Sequence, residues 1–342
     1  MINNFFEECV EQHGFCFIAE ISNNHLRDLD RYYCLIEAAK LAGAHSVKIQ
    51  TYSPQSLIAP GRFDDLVTEG PWKGQTFYSL YNSICAPVEW SQTLFDFAKS
   101  LGIYLFSSPF SSTDIRALEL VGCPAYKIAS FEFTDVTLWD FLCDLGKPIL
   151  ASTGIATAKE VESIIGNSKY RKNLSVLFNC VSAYPSNLAQ LDVSRFDALS
   201  SYGCLLGLSD HSINANSCIY AHAMGARVFE KHFTLNRQDG GPDASFSLEP
   251  DELKHHIQIL NMCSSACFRQ PKELALGLSF GRVVYSTKQI FTGDLFTLEN
   301  VGNYRPFVHS AVPAFSVKEL LGRPARFGYE IGDCIRIGEL EM

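Results

Sequence analysis

Short apolar runs alternate with longer segments of helical pattern along most of the chain. The runs are continuously apolar and rich in β-branched and aromatic residues, which is typical of buried strands. The segments between them carry apolar residues at helical spacing, and several end in glycine, a common helix stop signal. We predict eight strands, at residues 16–20, 46–50, 104–107, 125–129, 148–152, 175–179, 204–208 and 227–231.

Eight strands separated by helices predict a (β/α)8 TIM barrel. Continuous apolar strands of this kind form parallel sheets that are covered on both faces. An open doubly wound sheet is the alternative, but eight units in this length fit a closed barrel better. The first strand is also not followed by Gly-x-Gly-x-x-Gly, which weakens a dinucleotide-binding interpretation. We therefore predict an α/β chain whose barrel occupies residues 1–268.

The barrel pattern stops before the C-terminus. Residues 269–281 have the composition of a linker, and residues 282–342 contain short strand patterns with glycine turns. Such a change in period predicts a small second domain after the barrel.

Composition narrows the location and the partners of the protein. The 342 residues are 47% hydrophobic, yet the mean hydropathy is only +0.04 and no run is long enough to span a membrane. The N-terminus is acidic where a secretory signal is basic, so we expect a cytoplasmic protein. The 12 cysteines form no Cys-x-x-Cys pair and are expected to be reduced and buried. A net charge of -9 argues against nucleic acid or an anionic membrane as the main partner.

Polar residues follow nearly every predicted strand. In a TIM barrel the C-terminal strand ends carry the active site, so these residues are expected to meet at one rim. Taken singly, each is better explained as ordinary surface polarity or a strand-end cap. The candidates from the first six strands are Glu20, Lys48, Gln50, Ser108, Lys127, Ser130, Glu132, Ser152 and Tyr184.

The seventh and eighth strands are followed by Ser209-Asp210-His211 and by His232. On adjacent parallel strands the two imidazoles would face one cleft and hold a divalent metal such as Mn2+ or Mg2+, with coordination positions left open for substrate. Each histidine is alternatively a hydrogen-bonded polar residue without a ligand. Lys48 and Lys127, with serine hydroxyls around them, suit a compact phosphate or carboxylate, and Glu20 is a candidate for proton transfer.

These residues stand in longer motifs that resemble the sialic acid synthase family. The similarity runs from about residue 15 to the C-terminus, and its motifs occur in the family's order at residues 17–25, 47–51, 107–110, 126–130, 152–154, 207–211 and 230–234. The resemblance implies an enzyme that condenses phosphoenolpyruvate with an amino-sugar aldehyde to form a nonulosonic acid and phosphate.

The resemblance also implies roles for individual positions. His211 and His232 match the metal ligands, and Glu20, Lys127 and Arg305 match catalytic positions. Substrate-binding positions match Lys48, Gln50, Ser108, Ser130, Glu132, Ser152, Tyr184, Ser209, Asp210 and Asp243.

The C-terminal segment is similar to the antifreeze-like (SAF) domain that closes this family's chains. In the family this domain swaps onto a partner subunit, which implies a homodimer in which Arg305 reaches the partner's sugar site. Two departures bear on the fit of the sugar. A glycine that relatives carry after the Arg-Pro pair is absent behind Arg305-Pro306, and another is absent after Asn24-His25.

Three stretches, 48–57, 70–81 and 239–250, resemble the pseudaminic acid branch of the family. That branch implies a 2,4-diacetamido-2,4,6-trideoxy-hexose of altrose type as the sugar. Trp72 in the second stretch either packs its loop or contacts that sugar. The N-acetylneuraminate and legionaminate branches are the enzymatic alternatives. A non-catalytic carbohydrate-binding or antifreeze-like module is a more distant one, which the joint presence of Glu20, both lysines and both histidines argues against.

Overall fold

The computed structural model describes residues 4–69, 72–267 and 280–341. The chain divides into two compact units, with the boundary between Phe268 and Arg269. Most of the predicted linker, residues 269–279, lies outside the described residues, as do Gly70 and Pro71 of the loop singled out above.

The first unit is the predicted barrel. Eight parallel strands close on themselves in chain order, and the first strand pairs with the eighth, with Glu20 opposite His232. The fold class predicted for this part of the chain is therefore confirmed. The strands are β1 (Cys16–Glu20), β2 (Ser46–Thr51), β3 (Tyr104–Pro109), β4 (Tyr126–Ile128), β5 (Ile149–Ser152), β6 (Leu174–Cys180), β7 (Leu205–Asp210) and β8 (Val228–His232).

Helices cover the outside of the barrel, and their ends follow local sequence signals. Thr157 and Glu160 form a capping box at the start of one helix, and Gly102 ends another in the left-handed conformation, with φ of +69°. The helices are α1 (Phe5–His13), α2 (Leu29–Leu41), α3 (Pro54–Leu57), α4 (Phe77–Ile84), α5 (Ser91–Leu101), α6 (Ser112–Leu120), α7 (Val136–Leu145), α8 (Ala158–Ile165), α9 (Ser168–Asn173), α10 (Ser194–Ser200), α11 (Asn216–Ala223) and α12 (Pro250–Cys267).

The core lies between the strands and these helices. Large side chains such as Trp139, Phe106 and Phe178 are completely buried in it, and every residue of β1, β5, β6 and β8 is buried. Burial on both faces is the reason the strand sequences are continuously apolar.

β7 and β8 extend further than their apolar runs. The sequence predicts ends at residues 208 and 231, whereas the strands continue to Asp210 and His232. Polar side chains at these ends are accommodated because they pair with one another inside the barrel or behind it. Successive residues of a strand point to opposite faces, so Ser209 and Glu230 face one side while Asp210 and Lys231 face the other.

The second unit is small and built around its own core. β9 (Val283–Ser286) and β10 (Val301–Tyr304) pair antiparallel, and α13 (Val317–Leu320) follows them. The core contains Val284, Phe296 and Ile335. Buried Glu339 fixes the C-terminal turn by accepting hydrogen bonds from the backbone N–H groups of Arg326 and Phe327 and from the Tyr329 hydroxyl.

Two predictions from composition can be compared with the described residues. None of the helices within 4–69, 72–267 and 280–341 is long and apolar enough to cross a membrane. The cysteines whose side chains are described are free thiols, and most are at least partly buried, with Cys34 exposed.

Candidate active site

Polar side chains from several strands gather at the C-terminal ends of the barrel strands. Parallel strands bring the same end of each strand to one rim, so residues far apart in sequence meet there. The hydrogen bonds and ion pairs described below connect one set of inward-facing residues, namely Glu20, Lys48, Gln50, Ser108, Lys127, Ser209 and Glu230.

Lys48 is buried beside two carboxylates. Its Nζ lies 2.7 Å from Glu20 Oε2 and 3.7 Å from Glu230 Oε1, and it donates a 3.2 Å hydrogen bond to the Ser108 hydroxyl. Gln50 Nε2 donates to the other oxygen of Glu20 at 3.0 Å. Glu20 is therefore held from both sides, between a cation and an amide.

Lys127 is also buried, and like Lys48 it lies beside the carboxylate of Glu230. Its Nζ lies 2.6 Å from Glu230 Oε1, 3.4 Å from Ser209 Oγ and 4.5 Å from the centre of the Phe178 ring. Glu230 therefore joins the two lysines. The sequence alone assigns Glu230 no role. The available signal was its position two residues before His232, because residues two apart on a strand share a face.

The four charges balance one another. Burial alone would raise the pKa of Glu230, but Lys127 and Lys48 together lower it to about 2, so its carboxylate is ionised. Burial raises the pKa of Glu20 despite the opposing effect of Lys48, so Glu20 accepts a proton more readily than an exposed carboxylate. Each lysine has three N–H donors and can bind an anion while it keeps its carboxylate partner.

Serine hydroxyls form the neighbouring part of the rim. Ser130 and Ser182 lie 2.5 Å apart, Oγ to Oγ, and Ser130 accepts a hydrogen bond from the Ile155 N–H at 3.3 Å. Gly154 passes so close that a Cβ there would collide with both hydroxyls. Ser152 Oγ is buried with no hydrogen-bond partner in the described structure, so it is available to an oxygen of a ligand.

His211 and His232 lie side by side, with ring centres 5.4 Å apart. His211 Nδ1 lies 2.7 Å from the carbonyl oxygen of Val181, which fixes the proton on Nδ1 and leaves the Nε2 lone pair free. His232 Nδ1 is buried without a hydrogen-bond partner among the described residues. Burial lowers the pKa of each imidazole to about 3, so both are neutral, as metal ligands must be. The pair fits the predicted metal.

A second group of ligand types lies at the opposite end of the barrel. Of the described residues, Cys9, His13 and His45 are the one set of three or more metal-binding side chains whose ligand atoms all lie within 4.8 Å of one another. His45 Nδ1 accepts the Phe17 N–H at 2.9 Å, however, so neutral His45 carries its proton on Nε2 and has no free lone pair. We therefore assign no metal to this group.

Asp210 does not join the other predicted site residues. Its Oδ2 lies 2.6 Å from Lys231 Nζ and accepts hydrogen bonds from the hydroxyls of Ser212 and Ser217. Lys231 also donates to the Ser212 carbonyl oxygen at 2.5 Å. These contacts lie on the outward face of β7 and β8, where they fix the loop that follows His211. These contacts give Asp210 a structural role, and its expected contact with substrate stays a prediction.

Asp243 ties the segment after β8 to the loop after β1. Its Oδ2 accepts hydrogen bonds from Ser22 Oγ at 2.6 Å, from Asn23 Nδ2 at 3.1 Å and from the Asn23 N–H at 3.2 Å. Ser22 has a left-handed φ of 47° and also accepts a 3.0 Å hydrogen bond from Gln50 Nε2. Asp243, Ser22, Gln50 and Glu20 thus form one connected network.

Three other predicted residues have the following positions. The Tyr184 ring lies 4.2 Å from that of His211, centre to centre. Glu132 is partly buried, and its Oε2 has no hydrogen-bond partner within the described residues. Arg305 belongs to the second unit, where it is exposed and its guanidinium lies 5.9 Å from the centre of the Phe280 ring.

Comparison with known proteins relates this barrel to one family. The model of the NeuB family matches residues 35–270. The pseudaminic acid synthase of Campylobacter jejuni subsp. jejuni serotype O:23/36 (strain 81-176) is 38% identical over 326 residues, which cover 93% of this chain and 94% of that protein. The N,N'-diacetyllegionaminic acid synthase of Campylobacter jejuni subsp. jejuni serotype O:2 (strain ATCC 700819 / NCTC 11168) is 28% identical, over 93% of this chain and 98% of that protein.

A solved structure of a sialic acid synthetase has a similar fold. The crystal structure of N-acetylneuraminic acid (sialic acid) synthetase from Leptospira borgpetersenii serovar Hardjo-bovis, in complex with citrate, aligns with a TM-score of 0.68 at 26% identity. The alignment covers 77% of this chain and 88% of that one.

Proposed function

Because the chain belongs to the NeuB family, we propose that it is a pseudaminic acid synthase, which joins phosphoenolpyruvate to an open-chain 2,4-diacetamido-2,4,6-trideoxy-hexose of altrose type and releases phosphate. The observation that carries the proposal is the buried arrangement of Lys48, Lys127 and Glu20 beside His211 and His232 at one end of the barrel. The higher identity to a pseudaminic acid synthase than to a legionaminic acid synthase, 38% against 28%, favours this branch.

Phosphoenolpyruvate binds at the two lysines. Their remaining N–H donors, together with the hydroxyls of Ser108, Ser130, Ser152 and Ser209, take the phosphate and carboxylate oxygens. Phe178 and the closed barrel exclude water from Lys127, which strengthens its attraction for the anion. Glu230 keeps the lysines charged and in place before the substrate arrives.

His211 and His232 would hold a divalent metal, Mn2+, Mg2+ or a similar ion. When bound, such an ion supplies a Lewis acid that polarises the sugar aldehyde. Two protein ligands make a weak and exchangeable site. We expect His232→Ala to abolish metal-dependent phosphate release without unfolding the protein, with exposed His255→Ala as the matched control. Undiminished turnover by His232→Ala would remove the metal from the account.

The condensation forms one C–C bond and one C–O bond to water, and it breaks the C–O bond to phosphate; the aldehyde oxygen takes up a proton and becomes a hydroxyl. The methylene carbon of phosphoenolpyruvate attacks the aldehyde carbon, and water adds to the cation left at the carbon that bears the phosphate. Glu20 lies beside Lys48 and takes the proton that the water loses. Phosphate then leaves with the bridging oxygen, and the product is a nonulosonic acid.

The sugar is held by Glu132, Tyr184 and Asp243 on the barrel side. The second unit is an antifreeze-like SAF domain that swaps onto the partner in a homodimer and brings Arg305 to the partner's sugar. The C-terminal unit's own small core supports an independent domain, and the swap is what the resemblance of the sequence implies. The protein acts in the cytoplasm on small metabolites and needs no nucleic acid or membrane.

The proposal is tested by phosphate release from phosphoenolpyruvate with a panel of three sugars. We expect turnover with the 2,4-diacetamido-2,4,6-trideoxy-altrose, loss of that turnover with a chelator, and recovery with Mn2+. Turnover with N-acetylmannosamine alone would instead assign the N-acetylneuraminate branch, and turnover with the diacetamido-trideoxy-mannose alone the legionaminate branch. No phosphate release with any sugar would contradict the enzymatic proposal.

A further inference from the structure

Trp72 lies at the outer edge of the aromatic residues that surround the histidine pair. Its ring centre is 6.0 Å from that of Tyr184, which in turn is 4.2 Å from His211. Phe246 is buried, and its ring centre is 5.3 Å from that of Tyr184 and 5.0 Å from that of His232. The three aromatic side chains, which we call the aromatic wall, run outward from the histidines to Trp72.

The indole of Trp72 has no hydrogen-bond donor left for a sugar hydroxyl. Its Nε1 donates at 3.3 Å to the carbonyl oxygen of Pro242, next to Asp243. Trp72 is only partly buried, and apart from Nε1 its ring presents a surface of carbon atoms. Such a surface favours a C–H or methyl group over a hydroxyl, because a hydroxyl packed on it loses hydrogen bonds to water.

The hydrogen bond from Trp72 to Pro242 also ties the indole to a segment whose position is fixed by further contacts. Pro242 precedes Asp243, which is hydrogen-bonded to Ser22 and Asn23 in the loop after β1. The Leu26 side chain packs against Gly241 so closely that a Cβ on Gly241 would lie 2.6 Å from Leu26 Cδ2. The position of the indole is therefore determined by contacts, as specificity for a small group requires.

Trp72 lies within about 10 Å of His211, because its ring centre is 6.0 Å from that of Tyr184, which is 4.2 Å from that of His211. A six-carbon chain extends about 6 Å from C1 to C6, since each C–C bond is about 1.5 Å long. With C1 beside His211 and His232, a chain of this length, with a van der Waals contact of about 3.5–4 Å at each end, is long enough to contact Tyr184 and Trp72.

We propose that Trp72 is a specificity-determining residue that contacts the 6-deoxy end of the sugar and selects a methyl group over a hydroxymethyl group at C6. The inference rests on the proposed function and names a contact within that site. It also decides between the two roles that the sequence leaves open for Trp72, in favour of direct contact with the sugar.

The test uses two 2,4-diacetamido sugars of the same stereochemistry that differ only in carrying hydrogen or hydroxyl at C6. For the wild-type enzyme we expect kcat/KM to favour the 6-deoxy sugar by about 10-fold or more, the range for one group in an apolar pocket. Trp72→Ala is expected to remove this preference by lowering kcat/KM for the 6-deoxy sugar about 10–100-fold, while the KM for phosphoenolpyruvate stays within about 2-fold. Trp72→Phe keeps an apolar ring and should retain most of the preference.

Phe63→Ala is the matched control, because Phe63 is an exposed ring that packs against Tyr78, at 5.0 Å, rather than against the aromatic wall. It should leave both sugars unaffected. The proposal is overturned if Trp72→Ala lowers kcat/KM for both sugars equally, which would assign Trp72 to loop packing, or if the wild-type preference survives. If the wild type turns over neither sugar, the proposed function is overturned, and this inference with it.

Discussion

Glu230 lies between Lys48 and Lys127, and all three side chains are buried. The sequence suggests that an anionic ligand explains the two lysines, because a buried lysine is costly without a partner. The protein supplies that partner itself, on the strand that also carries His232. Glu230 thus positions both lysines in the absence of substrate and opposes the lowering of the pKa of Lys127 that burial causes, and their free donors remain for phosphoenolpyruvate.

Glu230→Gln should therefore lower the stability of the protein and make that stability depend more strongly on a bound anion. The variant leaves buried lysine charge uncompensated, and we expect it to lose about 3–5 kcal/mol of unfolding free energy. An added anion should restore part of this loss, so phosphoenolpyruvate should raise the Tm of Glu230→Gln more than that of the wild type. Glu119→Gln, which breaks the half-exposed pair with Lys147, should lower the Tm less and show no such gain. Equal Tm increases in Glu230→Gln and wild type would contradict the counter-ion role.

Glu132 provides a pH test at the level of one residue. Burial raises its pKa from the ordinary value of 4.5 to about 7, so the folded state binds the proton more tightly than the unfolded state. Stability from this group is present below about pH 4.5 and is lost as the pH rises to about 7. Glu132→Gln has no carboxyl group to lose a proton. The difference in free energy of unfolding, variant minus wild type, should therefore increase by about 1–3 kcal/mol between pH 4.5 and 7.5. Urea denaturation at the two pH values measures it, with exposed Glu7→Gln as control; a constant difference would contradict the burial argument.

At the scale of strands, successive side chains of β7 and β8 point to opposite faces, so the residues that face the site and the residues that hold its loops in place lie on different sides of the strands. Ser209 and Glu230 face Lys127, whereas Asp210 and Lys231 pair behind the strands. The outward pair fixes the loop after His211 through Ser212 and Ser217, so it positions a candidate ligand without contacting the site.

Asp210→Asn should consequently act on stability. It leaves Lys231 buried without a carboxylate, and we expect a loss of about 3–5 kcal/mol of unfolding free energy. The double variant Asp210→Leu/Lys231→Met should recover part of this loss, because it removes both charges. Denaturation curves provide the measurement, and the sugar KM of Asp210→Asn should change by less than about 3-fold. A large rise in KM with unchanged stability would return Asp210 to the substrate-binding set that the sequence suggests.

The sequence predicts the elements well and their pairings less well. The eight strands follow from local hydrophobic runs, and the rim residues follow from the geometry of parallel strands. The sequence does not predict which face each residue near the ends of β7 and β8 occupies, because the apolar runs that define the strands stop before the strands do. The partnership of Asp243 with Ser22 joins residues 221 positions apart, and the left-handed φ of Ser22 has no glycine to signal it. Long-range contacts of this kind leave no local pattern.

At the scale of the whole molecule, the chain consists of a barrel unit and a smaller C-terminal unit with a core of its own. If Arg305 serves the partner's barrel, the two subunits can complement each other. His232→Ala inactivates its own barrel but keeps Arg305, and Arg305→Ala has the converse defect. When the two inactive variants are unfolded, mixed and refolded together, about a quarter of the wild-type sites should be restored. Assays of phosphate release on the mixture and on each variant alone measure this, and a mixture as inactive as its components would contradict the swap.

The most direct test of the whole account is the fate of oxygen-18 placed in the bridging C–O–P position of phosphoenolpyruvate. The protein is incubated with this substrate, Mn2+ and the 2,4-diacetamido-2,4,6-trideoxy-altrose, and both products are analysed by mass spectrometry. We expect a nonulosonic acid without the label and phosphate that carries all of it. Label retained in the sugar acid, or no nonulosonic acid at all, would contradict condensation with C–O cleavage.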